Sequence, residues 1–151
     1  MKITSPKFEN GKKIPEEYTC DSKNISPPLE ISGVPKEAKS LVLIMEYPDV
    51  PKSIRADGMW DHWVVFNIPP NITKIEEGQN QPGKLGINTN NKTAYQGPCP
   101  PDKEHRYFFK IFALDVELNL NQGTAKKQVL EAMKGHILEE AVLIGVYERK
   151  K

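Results

Sequence analysis

Thirteen prolines in a 151-residue chain, most of them clustered, set the first limit on its fold. They occur as Pro27-Pro28, Pro69-Pro70 and Pro98 with Pro100-Pro101, and singly near segment ends. Each fixes φ at about −65° and removes a backbone donor. A helical bundle does not tolerate that density. The prolines cut the chain into strands joined by ordered loops.

Apolar runs of strand length lie between these breaks. Ser40–Tyr47 is near-continuous and reads as a buried central strand. His62–Ile68 is a second strand. Strict alternation puts His62, Val64 and Phe66 on one face and Trp63, Val65 and Asn67 on the other. Arg106–Asp115 is a third, long and aromatic-rich. Leu29–Ser32 and Val142–Tyr147 read as shorter strands. A helix opens after Gly123 with Thr124 as its N-cap. Val129, Ala132, Met133, His136 and Ile137 form its apolar stripe, and Gly135 bends or ends it before a short turn at 137–140. The fold class is mainly β, a single domain over 1–151, with short peripheral helices near the C-terminus.

Charge and hydropathy exclude several functions. The net charge is +1 with Lys and Arg scattered among Asp and Glu, so nothing marks a nucleic-acid surface. The basic tail Arg149-Lys150-Lys151 reads as a solvated terminus. No apolar run approaches the ~20 residues of a transmembrane helix, and residues 1–6 lack a signal-peptide core. The expected location is the cytoplasm. There Cys20 and Cys99 are reduced by default, although both sit in proline-flanked polar stretches that could bring them together.

The chemistry-bearing residues gather at strand ends. Asp49 follows the first strand, His62 begins the second, and His105 and Tyr107 begin the third. If the first strand lies antiparallel to the other two, all four meet at one end of the sheet. Gly97-Pro98-Cys99-Pro100-Pro101 would form a stiff wall beside them. Imidazoles and a phenol donate hydrogen bonds to a phosphate or carboxylate. Asp49 would orient one imidazole and favour its charged form. A metal set of His62, His105 and Asp49 has no supporting spacing. A Cys99 nucleophile would have few backbone amides for an oxyanion hole. Gly-x-Ser-x-Gly and phosphate-loop motifs are absent. No cofactor is expected.

Read in order, Tyr18-Thr19-Cys20-Asp21, Asn24-Ile25-Ser26-Pro27-Pro28-Leu29, Pro48-Asp49-Val50-Pro51, His62-Trp63-Val64-Val65, Gly97-Pro98-Cys99-Pro100-Pro101, His105-Arg106-Tyr107 and Ala132-Met133-Lys134-Gly135-His136-Ile137-Leu138 form a pattern. It resembles the phosphatidylethanolamine-binding protein family, also called the Raf kinase inhibitor protein family, in its bacterial and archaeal YbhB/YbcL-like branch. The resemblance runs from about Phe8 to Tyr147. It implies a large antiparallel Greek-key-like sheet packed on a smaller one, with a small anion pocket at one sheet end. Asp49, His62, Pro98, His105 and Tyr107 would line that pocket, with Tyr47, Asp21, Cys99 and Pro101 at its rim. The implied function is non-catalytic binding of a phosphate-like head group, with modulation of a kinase or protease and a homodimeric state as further expectations. The alternative is a hydrolase-like enzyme using the same cluster. Two departures matter: Ser22 and Ile31 replace a glycine and a tryptophan common in the branch's first loop, and the other bears on the ligand. Tyr47 stands where the family usually has an aspartate, which should weaken recognition of a head-group amine and leave a phosphate or carboxylate tolerated.

Overall fold

In a computed structural model describing residues 1–78 and 82–149, two sheets and one α-helix form three layers. In chain order the elements are β1 (Lys2–Thr4), β2 (Lys12–Lys13), a 3-10 turn (Glu16–Tyr18), β3 (Leu29–Ser32), β4 (Ser40–Tyr47), β5 (Trp60–Ile68), β6 (Lys74–Ile75), β7 (Lys84–Leu85), β8 (His105–Leu114), α1 (Lys126–Met133) and β9 (Ile137–Tyr147). The small sheet has the order β1-β3-β6 and the large one β2-β9-β8-β4-β5-β7. All pairings are antiparallel except β2 with β9.

β4 is buried along nearly its whole length because both its faces are covered. Leu41, Leu43 and Met45 pack with Trp63, Val65, Phe109 and Ile111 under Ile31 and Ile75 of the small sheet. Val42 and Ile44 face the other way, with Val64, Phe66 and Phe112, toward Val129 and Met133 of α1. A strand sandwiched in this way has no reason to alternate with polar residues, which is why Ser40–Tyr47 reads as a continuous apolar run.

Three sequence expectations are corrected. The helix ends at Met133, and Gly135 (φ 79°) turns the chain back. His136 therefore lies outside the helix and pairs with Asp115 at 2.8 Å, while Ile137 opens β9 instead of a turn. Ala125 is the N-cap residue, and Thr124 instead donates its hydroxyl to the Asn121 carbonyl. The α-helix lies near the C-terminus as expected, and a 3-10 turn also lies in the first loop. Cys20 and Cys99 are joined in a disulfide, not reduced, with Cα atoms 5.4 Å apart. The tail residues Lys150 and Lys151 lie outside the described residues.

The disulfide has a local cause. The amide of Cys20 donates to the Pro98 carbonyl (3.2 Å), that of Gly97 to Asn24 Oδ1 (2.8 Å), and the Tyr95 hydroxyl to the Tyr18 carbonyl (2.6 Å). These bonds lay the first loop along the wall segment before any covalent bond is counted. Gly97 permits the approach, since a Cβ there would sit 2.2 Å from the Tyr18 carbonyl oxygen.

Candidate functional site

β4 is antiparallel to both β5 and β8, so the C-terminal end of β4 meets the starts of β5 and β8. That topology brings Tyr47, His62, His105 and Tyr107 together. The Tyr107 ring lies 5.3 Å from His62 and 5.5 Å from Tyr47, and Tyr47 lies 4.9 Å from His105, all centroid to centroid. Pro98 is buried, whereas Asp49, Cys99 and Pro101 are exposed.

His62 reaches this face through an irregularity. Met45 pairs with Trp63, but Glu46 pairs with Asp61, so one residue of β5 is left over at His62. Strict alternation would have sent His62 toward α1 with Val64. The bulge turns it instead onto the Tyr107 side, an expected use of a bulge beside a site.

The hydrogen bonds define what each group can offer. His62 Nδ1 lies 2.8 Å from the Gln96 carbonyl oxygen. A carbonyl can only accept, so Nδ1 carries the proton. Burial pushes the imidazole down to about 4, against a smaller upward effect of that bond. His62 is thus neutral near pH 7 and Nε2 presents a lone pair. This corrects the expectation of a cationic imidazole. Burial pushes the Tyr107 phenol up, so it stays protonated. Among the described residues neither Tyr107 Oη nor His62 Nε2 has a hydrogen-bond partner, and neither is sealed from solvent.

His105 differs. Its Nδ1 is bonded to the Tyr47 hydroxyl and its Nε2 lies 2.6 Å from Asp102 Oδ1. The Tyr47 hydroxyl also lies 3.0 Å from the Asp49 backbone oxygen. Both His105 nitrogens are occupied, by Tyr47 and Asp102 and not by the Asp49 carboxylate. The bond from His105 lowers the Asp102 carboxyl below its usual range. Asp21 accepts from Tyr147 (2.6 Å) and Arg149 (3.0 Å), and the Tyr147 bond is the larger reason its carboxyl is held low. β9 carries Tyr147 beside His105 in register, which puts Asp21 at the border of the cluster. Among the described residues no group of three His, Cys, Asp or Glu is arranged to hold a metal.

Sequence reasoning missed Asp102, Gln96 and a charged network behind the site. On the α1 side of the same sheet end, Glu46 accepts from Lys110 (2.5 Å) and Lys126 (2.6 Å), and Lys126 also reaches Asp61 (2.8 Å). A glutamate inside apolar β4 and a lysine inside β8 were the available signal. Burial pushes the Glu46 carboxyl up, but the two lysines outweigh it and hold it below its ordinary value. Replacing Lys126 by Met is expected to cost about 2 kcal/mol, less than a fully stranded buried charge because Lys110 remains. Urea denaturation of both proteins checks this, and an unchanged midpoint would show the network to be neutral.

A cavity of about 310 Å³, lined by Lys7, Pro28, Glu30, Lys74 and Glu77 among others, lies on the small sheet, away from this cluster.

Comparison with known proteins identifies the family. The family described as phosphatidylethanolamine-binding protein matches residues 4–148. A UPF0098 protein of Chlamydia pneumoniae is 51% identical over 149 residues, covering 99% of both chains. One of Methanothermobacter thermautotrophicus is 49% identical over 155 residues, again covering 99% of both. Among solved structures, a phosphatidylethanolamine-binding protein homolog from Chlamydia trachomatis superposes with a TM-score of 0.95 at 50% identity, covering 99% of this chain and 97% of that one. Escherichia coli YbcL gives 0.87 at 27% identity, with 99% and 98% covered. Matches over almost the whole chain, in sequence and in fold, place it in the phosphatidylethanolamine-binding protein family.

Proposed function

We propose that the chain is a non-catalytic binding module that takes a small phosphate-like head group at the end of its large sheet. The observation that carries this reading is the pair of polar atoms at that end, Tyr107 Oη and His62 Nε2, that no described residue satisfies. They stand on rigid strands beside the buried Pro98, which suits a small ligand held by few convergent groups. Asp49, His105, Tyr47, Asp21, Cys99 and Pro101 form the surround in this reading. Modulation of a kinase or protease and a homodimeric state belong to the same reading through the family resemblance, and a cytoplasmic location is proposed with them on the sequence grounds given above.

Calorimetric titration of inorganic phosphate into wild type and Tyr107→Phe at pH 6 tests it. Wild type should bind at millimolar concentration or below. Loss of the phenol donor should weaken binding about tenfold, the equivalent of one hydrogen bond to a charged acceptor. Equal affinities would remove Tyr107 from the site. Steady product release from p-nitrophenyl phosphate or p-nitrophenyl acetate, abolished by His62→Ala, would make the chain an enzyme instead.

A further inference from the structure

The polarity of the pocket, not only its location, restricts the ligand. His62 donates Nδ1–H to Gln96 and its burial keeps the ring neutral, so the nitrogen left for a ligand accepts. A group that consists solely of acceptors, such as a carboxylate or a fully ionised phosphate, would place lone pair against lone pair there. The charged surroundings oppose a dianion as well. β8 contributes His105, already held by Asp102, and the protonated Tyr107. β4 contributes the neutral Tyr47, and the following loop the exposed carboxylate of Asp49. At the border, Arg149 is engaged by Asp21. Among the described residues no Lys or Arg hydrogen-bonds to Tyr47, His62, His105 or Tyr107.

We propose that this pocket selects an oxyanion that has kept one proton: a phosphate monoester in its singly charged form, whose P–OH donates to His62 Nε2 while an unprotonated oxygen accepts from the Tyr107 hydroxyl. The proposal rests on the binding-module reading above and narrows its ligand class. His62 is then the specificity-determining residue. It favours monoesters over diesters and carboxylates, because only the monoester offers both a donor and an acceptor on adjacent oxygens.

The second ionisation of a phosphate monoester lies at about pH 6. Above it the singly charged form declines tenfold per pH unit. Methyl phosphate, titrated calorimetrically into the wild-type protein, should therefore bind roughly two orders of magnitude more weakly at pH 8 than at pH 5.5. Dimethyl phosphate carries one charge but no P–OH, and should not bind at either pH. Methylphosphonate ionises its second proton at higher pH than methyl phosphate, so its loss of affinity should move upward with it. If the fall stays at one pH for both ligands, it belongs to a group of the protein and the proposal is overturned. Binding of dimethyl phosphate within threefold of methyl phosphate overturns it too, while leaving the binding module standing. If methyl phosphate fails to bind at every pH, the binding-module reading falls and takes this inference with it.

Discussion

Replacing both Cys20 and Cys99 with serine is expected to lower the stability of the fold by about 3–4 kcal/mol. The bond joins positions separated by 79 residues, so in the unfolded chain it closes a long loop. The chain-entropy contribution of such a closure grows with the logarithm of loop length, and this loop encloses β3 to β7. Thermal unfolding of the oxidised wild type against the double variant measures it. Wild type pretreated with a thiol reductant should behave like the variant. A difference under about 1 kcal/mol would mean that the hydrogen bonds from Cys20, Gly97 and Tyr95 already hold the two loops together in the unbonded chain. The effect should also have a local component. Cys99 lies between Pro98 and Pro100, so freeing it loosens the segment that follows the Gln96 carbonyl held by His62.

Acid should weaken the protein through His62 by about 3 kcal/mol. In the unfolded chain this imidazole titrates at its ordinary 6.5; in the fold burial lowers it to about 4. Between those values the unfolded state binds a proton that the folded state refuses, so stability falls as pH falls. The contribution is absent above about pH 6.5 and fully developed below about pH 4. Each unit of difference is worth about 1.4 kcal/mol, which gives the magnitude. Glu46 acts in the same direction at lower pH: its depressed carboxyl supports the fold above its ordinary value of 4.5, and that support is lost as pH falls further. Urea titrations from pH 7 to 4 on wild type and His62→Phe separate the two. The phenylalanine variant should lose the dependence between pH 6.5 and 4.5 and keep the steeper loss below it. An identical dependence in both proteins would assign the acid response to other groups.

Much of this architecture is written in local pattern. Ser40–Tyr47 and the aromatic run of β8 announce themselves because burial on both faces demands apolar residues at every position. The first half of β9 is the reverse case. Ile137–Glu140 is exposed at a sheet edge and carries two glutamates, so nothing in its composition distinguishes it from a turn. The cluster of Tyr47, His62, His105 and Tyr107 was within reach of sequence reasoning, since all four flank strand ends. The hydrogen bonding was not. Gln96 acts through its backbone carbonyl, which any residue supplies, and Asp102 acts from a loop whose path depends on the prolines before it. The protonation of His62 depends on its burial and on the Gln96 carbonyl, which is why its charge was the reading that failed.

The extra residue at His62 acts like a frameshift within a strand. Upstream of it the assignment of odd and even positions to the two sheet faces is opposite to that downstream. Asp61 therefore lies against Lys126 and His62 against Tyr107. Without the slip the two would trade places, putting a carboxylate beside Tyr107 and an imidazole beneath the helix. A relative that paired Glu46 with the histidine in regular register would have inverted chemistry in both compartments while matching this chain at nearly every letter. Comparisons of ligand preference within the family should therefore count positions from Trp63 backward through the bulge, not from Trp60 forward.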